Sequence, residues 1–392
     1  MKLPTEKLFY QDPRMTAFTA KVLSCVPDKK LYAVTLDRTA FYPEGGGQPT
    51  DMGMLGGAAV SFVKDSGGEV IHYVDKPLTV GETVEGSIDA DRRKDLTEQH
   101  SGEHIFSGLM CRTFGCDNVG FHIGDPFITI DFNATPSREE VKAIEEEANR
   151  LVRADLPVHI FWPSPEELAA LEYRSKKELT GAVRIVEFPE ADICACCGTH
   201  VVRTGEVGLI KLVSCEAHRG GVRLEILCGK RALDYVCGIC DENRRVSALL
   251  SAKENATFAA AERMQKENLQ MKSRLAALEE ASIAAKAEQY RNAGPVLIRE
   301  ENMGVDSARR LADAVMHSCG SFCGVLSDCG EDGVRYALGE EGGNLQALCK
   351  ALNASFNGRG GGKPGFVQGT LHGPLSGITA LIKGSYPGLT IG

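Results

Sequence analysis

The sequence predicts an α+β multidomain protein with four parts. These are a small N-terminal β-barrel, an α+β domain, a long helical linker and a glycine-rich C-terminal α/β domain. Three observations carry this reading. Period-two apolar alternation marks the first ninety residues, the stretch from Ile239 to Ala293 holds neither glycine nor proline, and glycine returns in density near the C-terminus. A chain of 392 residues is long enough for several domains, each burying its own core.

Residues 1–90 form the expected barrel. Lys30–Leu36 and Glu69–Val74 alternate and are rich in β-branched and aromatic side chains, with glycine turns between such runs. Residues 91–240 form the second domain. Arg92 to Met110 is free of proline and suits a helix, Ile128–Phe132 suits a strand, and Ser137 with Glu140 opens a capped helix to about Arg153. Residues 241–293 form the linker, one or two long helices. Leu250, Thr257, Met264, Met271, Leu278 and Ala285 stand at seven-residue spacing, interrupted inwardly by Glu254 and Asn268. Such a coiled-coil seam serves either a spacer or a homodimer contact. Residues 294–392 form the last domain, with strands at Pro295–Ile298 and Phe322–Leu326 and a helix at Ser307–His317. In Asn357–Pro364, four glycines around Arg359 and Lys363 could form a loop whose amides cradle an anion, or simply a tight turn.

The net charge of -9 argues against nonspecific coating of nucleic acid. No apolar run reaches membrane-spanning length and the N-terminal residues lack an apolar leader, so a cytoplasmic location without membrane contact is expected. Fourteen cysteines are too dilute for a disulfide scaffold, yet seven lie between Cys194 and Cys240. Cys237 and Cys240, a CxxC pair with no second pair nearby, read as buried thiols. His218, Arg219, Arg223, Lys230 and Arg231 form a basic cluster that either meets phosphates or is merely solvated.

His100 and His104 lie four residues apart, which places both on one face of a helix. Cys196 and His200 repeat that spacing around Gly198. Three imidazoles and a thiolate suit one Zn²⁺ per chain, with Cys194 or Cys197 able to replace Cys196 as the sulfur ligand. A rival reading takes His100-x-x-Glu103-His104 as an inverzincin peptidase signature with Glu103 as base. It requires a carboxylate third ligand and leaves Cys196 and His200 without a role.

At these residues the chain resembles the free-standing alanyl-tRNA editing proteins of the long AlaX type, which are related to the editing and C-terminal parts of alanyl-tRNA synthetase. The resemblance runs in order through Thr39–Pro49 with Asp51 and Gly53, His100-x3-His104, Val119–His122, Cys196-x3-His200 and Gly358–Pro364 with Gln368 and Gly369. Cys197 departs from it, since glycine is usual there. The resemblance implies a zinc-binding editing domain and ATP-independent hydrolysis of tRNA(Ala) mischarged with serine or glycine, a translation-fidelity role. A synthetase pocket sized for alanine cannot strongly reject a residue that merely adds a hydroxyl, whereas a pocket built to bond that hydroxyl discriminates by roughly 10⁴. It further implies that Gly45, Gly46, Gly47, Gln48 and His122 contact substrate and that Arg359 and Lys363 contact tRNA. Glu103 is a weak candidate base, since adjacency to His104 turns it about a hundred degrees away. A C-terminal domain serving oligomerisation, or a chain that binds tRNA without hydrolysis, are the alternatives.

Overall fold

The computed structural model describes residues 4–175 and 181–392. The chain divides into two compact units, Met1–Arg245 and Val246–Gly392. No helix among the described residues is long and apolar enough to cross a membrane.

The first unit opens with β1 (Ala17–Asp28), β2 (Leu31–Leu36), β3 (Gly53–Leu55), β4 (Ala58–Ser66), β5 (Glu69–Val74) and β6 (Thr83–Ile88). They close into a barrel in the order β1-β2-β5-β4-β3-β6, which removes exposed sheet edges. Alternation places Val70, His72 and Val74 of β5 inward, and the core adds Val22, Val34, Leu36, Phe41, Leu55 and Val63. The glycine-rich segment is the connection from β2 to β3. Tyr42 donates its amide to Asp51 Oδ2, and the Asp51 amide returns to the Tyr42 carbonyl. Between them Gly45 and Gln48 exchange backbone hydrogen bonds around Gly46 (φ 60°) and Gly47 (φ 83°). Two consecutive positive φ values are those of a type I′ turn, which explains glycine at both positions.

Helix α1 (Ala90–Phe114) follows, capped by Asp89 accepting from the Arg92 amide and ended by Gly115 in the left-handed region. Every residue from Leu96 to Met110 is buried, so the polar groups of this central helix need internal partners. One sheet beside it has the antiparallel order β12-β13-β8-β7, from β7 (Asn118–Ile123), β8 (Ile128–Phe132), β12 (Ile210–His218) and β13 (Gly221–Cys228). A second comprises β9 (His159–Phe161), β10 (Ile185–Phe188) and β11 (Asp192–Ala195). Helix α2 (Arg138–Ala154) carries the expected capping box of Ser137 and Glu140, and its inner face packs Val141, Ile144, Ala148 and Leu151 into the core around α1. Helix α3 (Gly229–Leu249) follows β13 directly, and the boundary between the units falls within it.

The second unit opens with α4 (Thr257–Gln289). Ser251, at φ 50°, breaks the chain between Leu250 and Thr257, so the seven-residue repeat is not carried on one continuous helix. Met264, Met271 and Leu278 face solvent, while Ile283 packs on α5 (Val305–Cys319). Strands β14 (Val296–Glu301), β15 (Cys323–Asp328), β16 (Val334–Gly339), β17 (Arg359–Lys363), β18 (Phe366–Leu371) and β19 (Thr390–Ile391) form a mixed sheet ordered β17-β18-β16-β15-β14-β19. The segment read from sequence as an anion-cradling loop is therefore the exposed edge strand β17. Its glycines let it pair closely with β18: a Cβ on Gly360 would lie 2.6 Å from the Gln368 carbonyl, and one on Gly362 2.2 Å from the Phe366 carbonyl.

Candidate metal centre

Helix α1 supplies His100 and His104 one turn apart, and the loop after β11 supplies Cys196 and His200. All four ligand atoms lie within 4.8 Å of one another. Cys196 Sγ is 3.4 Å from His100 Nε2 and 3.3 Å from His200 Nε2. A tetrahedral zinc with ordinary Zn–N and Zn–S bonds would set nitrogen and sulfur about 3.5 Å apart, so the cluster has room for such an ion. Gly198 is required here, because a Cβ on it would lie 2.1 Å from His100 Cε1.

The outer ring nitrogens fix the orientation. His100 Nδ1 lies 2.8 Å from Gln48 Oε1, and His104 Nδ1 lies 2.8 Å from Asp192 Oδ2. Both partners are oxygens that accept, so each Nδ1 donates and each Nε2 presents its lone pair to the centre. Arg174 grips Asp192 with two bonds of 2.7 Å. His200 Nδ1 is buried with no hydrogen-bond partner among the described residues. Burial opposes ionisation of the Cys196 thiol, yet the three surrounding imidazoles hold it well below the usual thiol range. For His200 burial prevails and favours the neutral, ligating ring. Donor types and ring orientation fit a metal ion.

The other residues singled out from sequence fall in several places. Gln48 is buried, and besides His100 its amide bonds Thr199 through both ends, with Thr97 on the far side of the Thr199 hydroxyl. It clamps His100 to the loop that carries Cys196 and His200. Gly45, Gly46 and Gly47 form the turn that delivers it, and Gly47 has room only for hydrogen, since a Cβ would lie 2.4 Å from Phe121. His122 is exposed in a cavity of about 640 Å³ with Arg92 and Arg231. Its neighbour Phe121 is the residue stacked on His100, with ring centroids 5.5 Å apart, because strand alternation sends adjacent side chains to opposite faces. Glu103 is buried and accepts from Ser107 and Asn118 at 2.7 Å each. Cys196 and His200 join both histidines in one cluster, while the Asp192 carboxylate and Cys194 form a second group with His104 alone.

The basic cluster read from sequence is largely paired. Arg223 binds Asp131, Arg231 binds Asp95 and Lys230 binds Asp234. Cys237 and Cys240 are exposed on α3 rather than buried. Arg359 and Lys363 are exposed at the two ends of β17. Asp192, Arg174, Thr199 and Phe121 were not singled out from sequence. For Phe121 the alternation along Val119–His122 was the available signal, whereas the long-range partners Asp192 and Arg174 had none.

Two family models match. Residues 183–225 match the second additional domain of threonyl and alanyl tRNA synthetases, and residues 5–92 match the class II (A) tRNA synthetases. The first match covers Cys196 and His200, so this part of the site defines an aminoacyl-tRNA-synthetase-related protein. The chain is related to alanyl-tRNA editing proteins and to alanine–tRNA ligases. It is 32% identical over 238 residues to alanyl-tRNA editing protein AlaX-L of Pyrococcus horikoshii, covering 58% of this chain and 59% of that protein. It is 33% identical over 387 residues to alanine–tRNA ligase of Korarchaeum cryptofilum, 92% of this chain and 42% of the ligase. With the corresponding ligase of Natronomonas pharaonis it shares 35% identity over 301 residues, 72% of this chain and 32% of the ligase. The chain thus spans less than half the length of these ligases.

Proposed function

We propose that the protein hydrolyses the aminoacyl ester of tRNA(Ala) mischarged with serine, and secondarily with glycine. The observation that carries this reading is the convergence of His100, His104, Cys196 and His200, with two of the imidazoles oriented from behind, in a chain related to alanyl-tRNA editing proteins. Zn²⁺ held by these four residues would supply fixed positive charge to anchor and polarise the aminoacyl end. Four protein donors suit orientation of the substrate, whereas activation of water would need one of them to give way.

The chain's own residues do the rest. Gln48 and Asp192 hold the His100 and His104 rings against rotation, and burial around α1 excludes bulk water from the ester. A single water then attacks the carbonyl carbon, the bond to the ribose oxygen breaks, and that oxygen leaves as a hydroxyl carrying a proton. Glu103 is held by Ser107 and Asn118, which suits a supporting carboxylate better than a mobile base. Arg359 and Lys363, exposed on one edge strand, would contact tRNA phosphates, and the solvent-facing seam of α4 would pair two chains.

The test is deacylation of Ser-, Gly- and Ala-charged tRNA(Ala) by purified protein, beside a Cys196→Ala/His200→Ala double variant. Loss of Ser-tRNA(Ala) with Ala-tRNA(Ala) spared, abolished in the variant, is expected. Equal hydrolysis of all three would contradict discrimination by the serine hydroxyl.

A further inference from the structure

Three of the four residues of the metal centre are buried, and Cys196 alone is partly exposed. Cys197, next to Cys196, is exposed. Arg184 is anchored here, its Nη1 donating to the carbonyls of Cys196 (2.7 Å) and Gly198 (3.1 Å). Its guanidinium carbon lies 4.9 Å from the ring centre of Tyr10 and 5.8 Å from that of Trp162. The two rings meet edge to face at 6.0 Å. Trp162, which follows β9, is 48% exposed. Arg184 Nε is buried and has no hydrogen-bond partner among the described residues.

We propose that Trp162 and Tyr10 form a stacking platform for the base of the 3′-terminal nucleotide. This inference rests on the hydrolase reading above for its substrate. The ester to be cleaved sits on the ribose of that nucleotide, so the base is one sugar away from the carbonyl at the metal centre. An exposed indole packed beside a tyrosine and a guanidinium offers a face on which a base of single-stranded nucleic acid can stack. Phosphate contacts set where the tRNA lies, and this platform sets the distance at which its aminoacyl end reaches His100 and His104.

Trp162 is the only tryptophan in the chain, so its emission reports the platform directly. The zinc-loaded full-length protein is titrated with the trinucleotide CCA and with the dinucleotide CC. Saturable quenching by CCA at concentrations where CC has little effect is expected. In deacylation of Ser-tRNA(Ala), Trp162→Ala should raise KM about 10-fold with kcat held within about two-fold, and Trp162→Phe should restore most of the loss, as base–aromatic stacking implies. No quenching by CCA together with an unchanged KM in Trp162→Ala overturns the platform. Quenching by CCA in a wild type that hydrolyses nothing leaves the platform standing and removes the hydrolase reading. Hydrolysis with an unchanged KM in Trp162→Ala removes the platform alone.

Discussion

Asp192 and His104 lie 88 positions apart in sequence and meet at 2.8 Å, carboxylate to Nδ1, behind the candidate metal centre. Asp192 is itself gripped by Arg174, so the ring that faces Cys196 is oriented by a buried chain of charge. Replacing Asp192 by asparagine keeps an acceptor but removes the charge and leaves Arg174 without its ionic partner. Metal affinity should fall about 10- to 100-fold, as is usual when a ligand's outer hydrogen bond is lost. Competition with a zinc chelator measures it; an unchanged affinity would show that the Asp192 charge does not tune the site.

Arg93 and Asp51 join the glycine-rich connection to α1. The carboxylate receives Arg93 Nε at 3.0 and 3.1 Å, and Arg93 also donates to the Pro13 carbonyl at 3.0 Å. Both side chains are buried, and Arg93 stands two helical turns before His100. Asp51→Ala should destabilise the protein by about 3–5 kcal/mol, because it leaves a buried guanidinium uncompensated. Urea unfolding measures this, and a loss under about 1 kcal/mol would contradict the pairing.

His72, inside the barrel, is held neutral. Its Nδ1 lies 3.2 Å from the Val34 carbonyl and so donates, while Nε2 accepts from the Thr39 hydroxyl at 2.8 Å. Burial lowers its pKa from 6.5 to about 4. Above pH 6.5 both folded and unfolded chains hold the ring neutral, and the native advantage is whole. Below that the unfolded chain takes up a proton that the folded chain refuses, so stability falls until about pH 4. The total loss is about 3 kcal/mol. His72→Gln should lack this part of the slope when urea midpoints are compared at pH 7, 5 and 4; parallel slopes would refute it.

Gly198→Ala places a methyl group against His100 with no space to receive it. The ring or the ligand loop must move, and zinc stoichiometry should drop well below one per chain while the far-ultraviolet spectrum is kept. Full zinc occupancy would show that the loop relaxes without cost to the site.

The parts legible in sequence were those set by local pattern. Alternation in Glu69–Val74 marks β5, and the pair Ser137 and Glu140 marks the start of α2, because side chains two or three positions apart decide these features. The four-residue spacing of His100/His104 and Cys196/His200 was legible for the same reason, although their meeting across nearly a hundred residues was not fixed by spacing. Contacts between distant segments were not legible. Gln48, read as a substrate contact, also bonds His100 and Thr199, and beside His122 the strand turns Phe121 toward His100. Arg359–Lys363 looked like a loop because glycine usually marks turns, but here it permits close strand pairing beside Tyr336.

The account's central claim is that a metal held by His100, His104, Cys196 and His200 serves ester hydrolysis. The most direct measurement is the rate of Ser-tRNA(Ala) deacylation by protein stripped of metal and then titrated with zinc. The rate should be negligible when stripped, rise in proportion to bound zinc and reach its plateau at one equivalent. Full activity in the stripped protein, or no activity at one equivalent of bound zinc, would contradict it.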